Sequence, residues 1–143
     1  SKDFINLDYL KKVKLFIESN NLTKYVSLHY DIPHSKMNDF YAKNDIFVLP
    51  ATNEPASISV IEALSMGLPV ICSDNCGTKS YIEHGKNGYI FKDNSLLSLT
   101  KYLSLLLNKS NFNLFEKNTV NYYKNNLTEK IFIKKFNDLL NEF

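Results

Sequence analysis

The sequence has no arginine and no tryptophan, and all 17 of its basic residues are lysine. These lysines are dispersed among 15 acids for a net charge of +2, which argues against the clustered basic groove of a nucleic-acid binder. Two cysteines, Cys72 and Cys76, are too few for a disulfide framework, and no further Cys or paired His completes a zinc set. They read as buried neutral thiols, and the scattered His29, His34 and His84 as loop or surface residues rather than ligands. No apolar run approaches the roughly 20 residues of a spanning helix. Residues 1–20 are charged throughout, unlike a signal peptide, so the segment is expected to be cytoplasmic. No repeat, linker or low-complexity tract breaks it up. The Asn-x-Ser/Thr matches at Asn21, Asn108 and Asn126 are what an asparagine-rich chain produces by chance.

What remains is a chain of 143 residues, 44% hydrophobic, large enough to bury a core as one globular domain or part of one. Its most informative stretch is IFVLPATNEPASISVIEALSMGLPVICSD, residues 46–74. Ile46 to Leu49 is a short unbroken apolar run, typical of a parallel strand covered on both faces. Ser57 is a candidate N-cap for the apolar-rich segment Ile58 to Met66, which Gly67 and Pro69 terminate. Val70 to Cys72 then reads as a second buried strand, giving a right-handed βαβ unit.

Two carboxylates stand out within this unit. Glu62 is the only charged residue from Ser57 to Met66, and with Ser59 and Ser65 it forms a polar stripe at three-residue spacing. Glu54 lies in the loop after the first strand, where open α/β sheets bind ligands. The helix start beside it offers unpaired N–H groups and positive potential, which suit a phosphate. A carboxylate there can accept hydrogen bonds from sugar hydroxyls. A buried or salt-bridged Glu62 and a solvated Glu54 in an unrelated α/β protein would give the same pair.

The ordered series of strand, E-x(7)-E, GLPVI-C-SD, the segment from Gly77 to Glu83 and then NGYIF resembles the carboxyl-terminal donor-binding half of the retaining GT-B glycosyltransferases of family 4. The resemblance runs from about Val26 to Leu107 and more weakly to the end. It implies a Rossmann-like parallel sheet with helices on both faces. It also implies that residues 1–143 are a single donor-binding domain, a fragment of a larger enzyme. By that resemblance Glu54 contacts hydroxyls of the donor hexose near the reacting carbon, and Glu62 holds the ribose. The N–H groups of Ala56, Ser57, Ile58 and Ser59 face the hexose and diphosphate, and Tyr30 and Ile32 are candidates for base contact, with ordinary loop packing as the other reading.

The same resemblance implies a nucleotide-sugar donor, no cofactor, no metal, and an acceptor domain lying upstream in the same enzyme. That enzyme would be peripheral at the inner face of the membrane and would serve polysaccharide, glycan or glycolipid synthesis. The family's usual Gly-aromatic-Gly after the first glutamate is here Pro55-Ala56-Ser57. Proline offers no N–H, and side chains replace open space. The basic pair that grips the diphosphate in the family has no counterpart, so the isolated segment is expected to be inactive. A nucleotide-sugar epimerase of GT-B fold and a non-catalytic nucleotide-binding or assembly module are the alternatives.

Around that unit, Asp3 to Ser19 has the periodicity of an amphipathic helix. Tyr25 to Tyr30 has strand composition, and Ser35 to Lys43 reads as a short helix with Tyr41 or Phe40 facing inward. A short helix through Glu83 precedes a strand at Gly88 to Phe91. A leucine stripe follows at Leu96, Leu99, Leu103 and Leu106, packed on the sheet. Helices at Phe112 to Lys124 and Thr128 to Phe143 close the chain, the last with Phe132, Phe136, Leu139 and Phe143 on one side. This makes four strands, matching the third to sixth of the six in a donor domain and lacking the first two. The gap would be about 14 Å wide at the usual strand spacing. It exposes sheet edges that invite direct pairing or self-association of the segment.

Overall fold

Apolar periodicity, caps and glycine stops set most element boundaries in the computed structural model, which describes residues 6–142. The chain divides into two compact units, Ser1–Met37 and Asn38–Phe143. The first contains helix α1, Leu7–Ser19, started by Asn6, whose side chain accepts the Tyr9 N–H at 3.0 Å. The segment expected to be a strand at 25–30 is not one. Tyr25 and Val26 N–H groups donate back to the Leu22 carbonyl in a turn, and the rest joins no ladder. β-Rich composition describes a good fit to a pleated, half-buried surface, and without a neighbouring strand it forms none.

The second unit is built on a parallel sheet in the order β1-β2-β3: Phe47–Leu49, Val70–Ser73 and Gly88–Phe91. Its register is continuous, with Phe47 opposite Val70 and Val70 opposite Gly88. The sheet among the described residues therefore has three contiguous strands rather than four with a gap. Helix α2, Met37–Ala42, leads into β1 after a 3-10 turn at His34–Lys36.

Helix α3, Ile58–Ser65, packs against β1 and β2 with Val60, Ala63 and Leu64 buried. Gly67 adopts the left-handed conformation (φ +81°) that ends it. Strand side chains alternate between faces, so Ile71, Tyr89 and Phe91 share the opposite side. There they form the core with Leu106 and Phe115, backed by Val48, Leu99, Tyr102 and Leu103.

Helix α4, Leu96–Leu106, covers that face. Three leucines of its expected stripe pack, but Leu96 is 78% exposed. It sits in the first turn at the carboxyl end of the sheet. Helix α5, Lys109–Asn126, contacts both α3 and α4. Its buried Thr119 hydroxyl reaches the Asn87 carbonyl just before β3 at 3.2 Å. Helix α6, Glu129–Leu140, carries the expected side, with Phe132 and Phe136 stacked 6.3 Å apart, yet Phe132, Phe136 and Leu139 are exposed. Phe143 lies outside the described residues. No helix among the described residues is long and apolar enough to cross a membrane.

Candidate functional site

Parallel strands end on one side, so the loops after β1, β2 and β3 gather at a single edge of the sheet. An open cavity of about 400 Å³ lies there, lined by Asn53, Glu54, Pro55, Asp74, Gly77 and Lys79 among others. Buried Ser73 at the end of β2 donates its hydroxyl to the Ala51 carbonyl and ties the first loop down.

Glu54 is half-buried in that first loop. It forms a parallel bridge with Cys76, its carbonyl accepting the Gly77 N–H at 2.8 Å. Only glycine permits this approach, because a Cβ at Gly77 would stand 1.9 Å from the Pro55 carbonyl oxygen. Asn53 turns the chain into Glu54 with φ +58°, a left-handed conformation that asparagine tolerates. The Glu54 carboxylate accepts the Ala56 N–H at 3.3 Å, so that amide is engaged by the glutamate itself.

Ser57 occupies the N-cap position of α3 as expected, but its hydroxyl caps no backbone group and lies 2.6 Å from Ser59 Oγ. The first-turn N–H groups of Ile58 and Ser59 have no intrahelical acceptor by construction of the helix. With the positive end of the helix dipole they form a surface suited to an anion. The Ile58 side chain is 72% exposed beside them.

One turn further on, Glu62 is half-buried, and its Oε2 accepts the Tyr41 hydroxyl at 2.8 Å. Tyr41 is itself buried and packs edge-on to Phe47 of β1, 6.0 Å between ring centres. The glutamate is thereby oriented from α2. Tyr30 and Ile32 belong to the first unit, where the Lys14 ammonium lies 5.9 Å from the Tyr30 ring.

Burial, reinforced by the Glu62 hydrogen bond and charge, pushes the Tyr41 hydroxyl up from 10.0 to about 12. Burial, and secondarily Cys76, likewise pushes the Cys72 thiol up from 9.0 to about 12 against the opposing pull of Lys79. Both cysteines are buried and unpaired as disulfides, as expected. For these two acids the unfolded chain ionises first, so it binds fewer protons than the folded chain and stability falls as pH rises. The decline should begin near pH 9 for Cys72, gain the Tyr41 contribution above pH 10, and run to about pH 12. Thermal melts across that range should show it, with Tyr41→Phe shallower than wild type above pH 10. Superimposable slopes would contradict it.

His84 is structural, accepting the Ile90 N–H at Nδ1 (3.0 Å) and packing edge-on to Tyr89 and Tyr102. Among the described residues no three His, Cys, Asp or Glu side chains gather in a metal-holding group. Sequence reasoning missed Tyr41 as the partner of Glu62, Lys79 as a cation at the cavity, and Asp93. A signal was available for the last, because each strand is followed within three residues by a Thr-Asn or Asp-Asn pair, at Thr52, Asp74 and Asp93.

The family model described as Glycosyl transferases group 1 matches residues 6–127. An uncharacterized glycosyltransferase of Haemophilus influenzae is 37% identical over 71 residues, covering 48% of this chain and 20% of that protein. The alpha-monoglucosyldiacylglycerol synthase of Acholeplasma laidlawii is 29% identical over 87 residues, covering 61% and 21% respectively. The chain thus spans about a fifth of the length of these curated relatives. Among solved structures, Anabaena HepE in complex with UDP superposes with a TM-score of 0.78 at 19% identity, over 98% of this chain and 38% of that one. The C-terminal domain of the glycosyl transferase group 1 family protein LpcC from Francisella tularensis gives 0.79 at 17% identity, over 87% and 65%. At these identities the two structures establish the GT-B glycosyltransferase type of fold.

Proposed function

Because this chain belongs to the glycosyl transferases group 1 family, we propose that it is the donor-binding part of a retaining, family 4 enzyme. That enzyme moves a hexose from a nucleotide-sugar to a glycan, polysaccharide or lipid acceptor. The observation that carries this reading is the loop and helix start after β1. There a half-buried Glu54 stands beside the first-turn N–H groups of α3, at the carboxyl edge of a parallel sheet. Neighbours of this fold have been solved with UDP and with UDP-glucose, which supports a nucleotide-sugar as the ligand.

In this reading Glu54 accepts hydrogen bonds from hexose hydroxyls near the reacting carbon. The N–H groups of Ser57, Ile58 and Ser59 face the diphosphate, where negative charge grows on the leaving nucleotide as the sugar bond breaks. Fixed dipoles aimed at growing charge need no reorganisation during reaction, which is why they lower the barrier. The Ala56 N–H, 3.3 Å from the Glu54 carboxylate, faces the hexose. Glu62, oriented by Tyr41, takes the ribose. Neither a metal nor a further cofactor enters this proposal. The acceptor domain and the remaining phosphate-gripping cations come from the rest of a larger, cytoplasmic enzyme, so the 143-residue segment alone is inactive in transfer.

Calorimetric titration of this chain and of Glu62→Ala with UDP, GDP and ADP tests the donor site. One nucleotide should bind saturably. The variant should bind it about tenfold or more weakly, the order expected for lost hydrogen bonds to a charged group. Absence of binding both here and in the full-length parent would overturn the reading.

A further inference from the structure

We infer that Asp93 is a positioning residue for Glu54, acting as a clasp across the loops that follow all three strands; its functional consequence rests on the donor-site reading above. The Asp93 carboxylate accepts four hydrogen bonds. On Oδ1 it takes the Thr52 hydroxyl at 3.1 Å and the Asn94 N–H at 2.9 Å. On Oδ2 it takes the side-chain amides of Asn75 at 3.3 Å and Asn94 at 3.2 Å. Four acceptor sites are about what a carboxylate offers, so the group is saturated by protein. Its own N–H donates to Asp74 Oδ1 at 2.8 Å. One side chain after β3 therefore holds Thr52 after β1 and Asn75 after β2.

Asp93 is not among the residues lining the cavity beside Glu54, so it acts through the loop. Thr52 and Glu54 are separated only by Asn53, which is locked in the left-handed turn. A shift of Thr52 is therefore passed directly to the glutamate. On its other side the same loop rests on Gly77, by the Gly77 N–H to Glu54 carbonyl bond and the close approach of Pro55. With the Ser73 hydroxyl bond to the Ala51 carbonyl, these attachments to both neighbouring loops fix a segment that lies outside the helices and strands.

An acceptor with neutral donors at the rim of a fold can be removed without leaving a buried charge. The expected effect is thus local loosening rather than unfolding. Amide hydrogen exchange measured on the full chain should show Gly77 exchanging about tenfold or more faster in Asp93→Ala, with strand amides unchanged. Thr52→Val, which removes one clasp bond at an exposed position, should move Gly77 in the same direction by less. Unchanged Gly77 protection, or equal acceleration throughout the sheet, would overturn the clasp.

The functional arm compares UDP-glucose with UDP in the full-length parent. Asp93→Ala should weaken UDP-glucose relative to UDP, because Glu54 serves the sugar, whereas equal weakening of both would refute positioning of Glu54. If the wild-type parent binds neither ligand, the donor reading itself has failed, and hydrogen exchange still decides the clasp.

Discussion

Glu54→Gln in the full-length enzyme should lower sugar-transfer turnover by about a hundredfold to a thousandfold, the scale of losing one preorganised electrostatic contact to a transition state. Nucleotide affinity and the thermal midpoint should stay close to those of the wild type. Both halves follow from how the side chain is held. Among the described residues its carboxylate makes one weak contact, to the Ala56 N–H at 3.3 Å, and a glutamine carbonyl can accept the same bond. The loop is kept in place instead by backbone and by neighbours, through Gly77, Ser73 and Asp93. The substitution therefore removes a charge with little change to the fold, and under the proposed donor-site reading the loss should fall on kcat rather than on the nucleotide. Undiminished turnover with intact binding would leave the non-catalytic module as the better reading. Steady-state kinetics with a nucleotide-sugar and acceptor, paired with thermal melts, separate the cases.

Gly88→Ala should cost about 3 kcal/mol, the upper part of the range for forcing atoms into a packed interior, and lower the thermal midpoint by roughly 10 °C. A Cβ at this position would lie 2.0 Å from the Val70 carbonyl oxygen and 3.0 Å from its carbon. Gly88 is paired with Val70 in the ladder, and Val70 is at the same time paired with Phe47. The obstructing atoms are thus backbone of the central strand, which cannot retreat without disturbing β1. Relief by a rotamer change is not open to a carbonyl. Equilibrium unfolding in urea measures the loss directly, and a cost below about 1 kcal/mol, typical of a neutral site, would mean that β2 and β3 pair in another register. Since the candidate site is made of the loops leaving these strands, the same variant should blunt nucleotide binding through the fold rather than through any contact.

The sequence by itself determined the unit from β1 to β2. The apolar run at Ile46 to Leu49, the Ser57 N-cap position, the Gly67 stop and the second buried run all appear within two residues of their expected places. It also determined that Glu54 precedes a helix start and that Glu62 lies on the polar side of that helix. These are local properties: side-chain periodicity and the backbone freedom of single residues act over a few positions and can be read along the chain.

The tertiary structure decided what depends on a neighbour distant in sequence. Tyr25 to Tyr30 has the composition of a strand but no ladder, because a strand exists only with a partner. Leu96 belongs to a correct leucine stripe yet is exposed, because the sheet ends before the helix does. The contact of the Ala56 N–H with the Glu54 carboxylate, 3.3 Å, depends on how the loop turns into the helix. Tyr41 meets Glu62 across 21 residues, and Asp93 meets Thr52 across 41. Nothing in local spacing encodes such contacts; parallel pairing brings the strand ends to one edge, and only then do the side chains in the loops find one another.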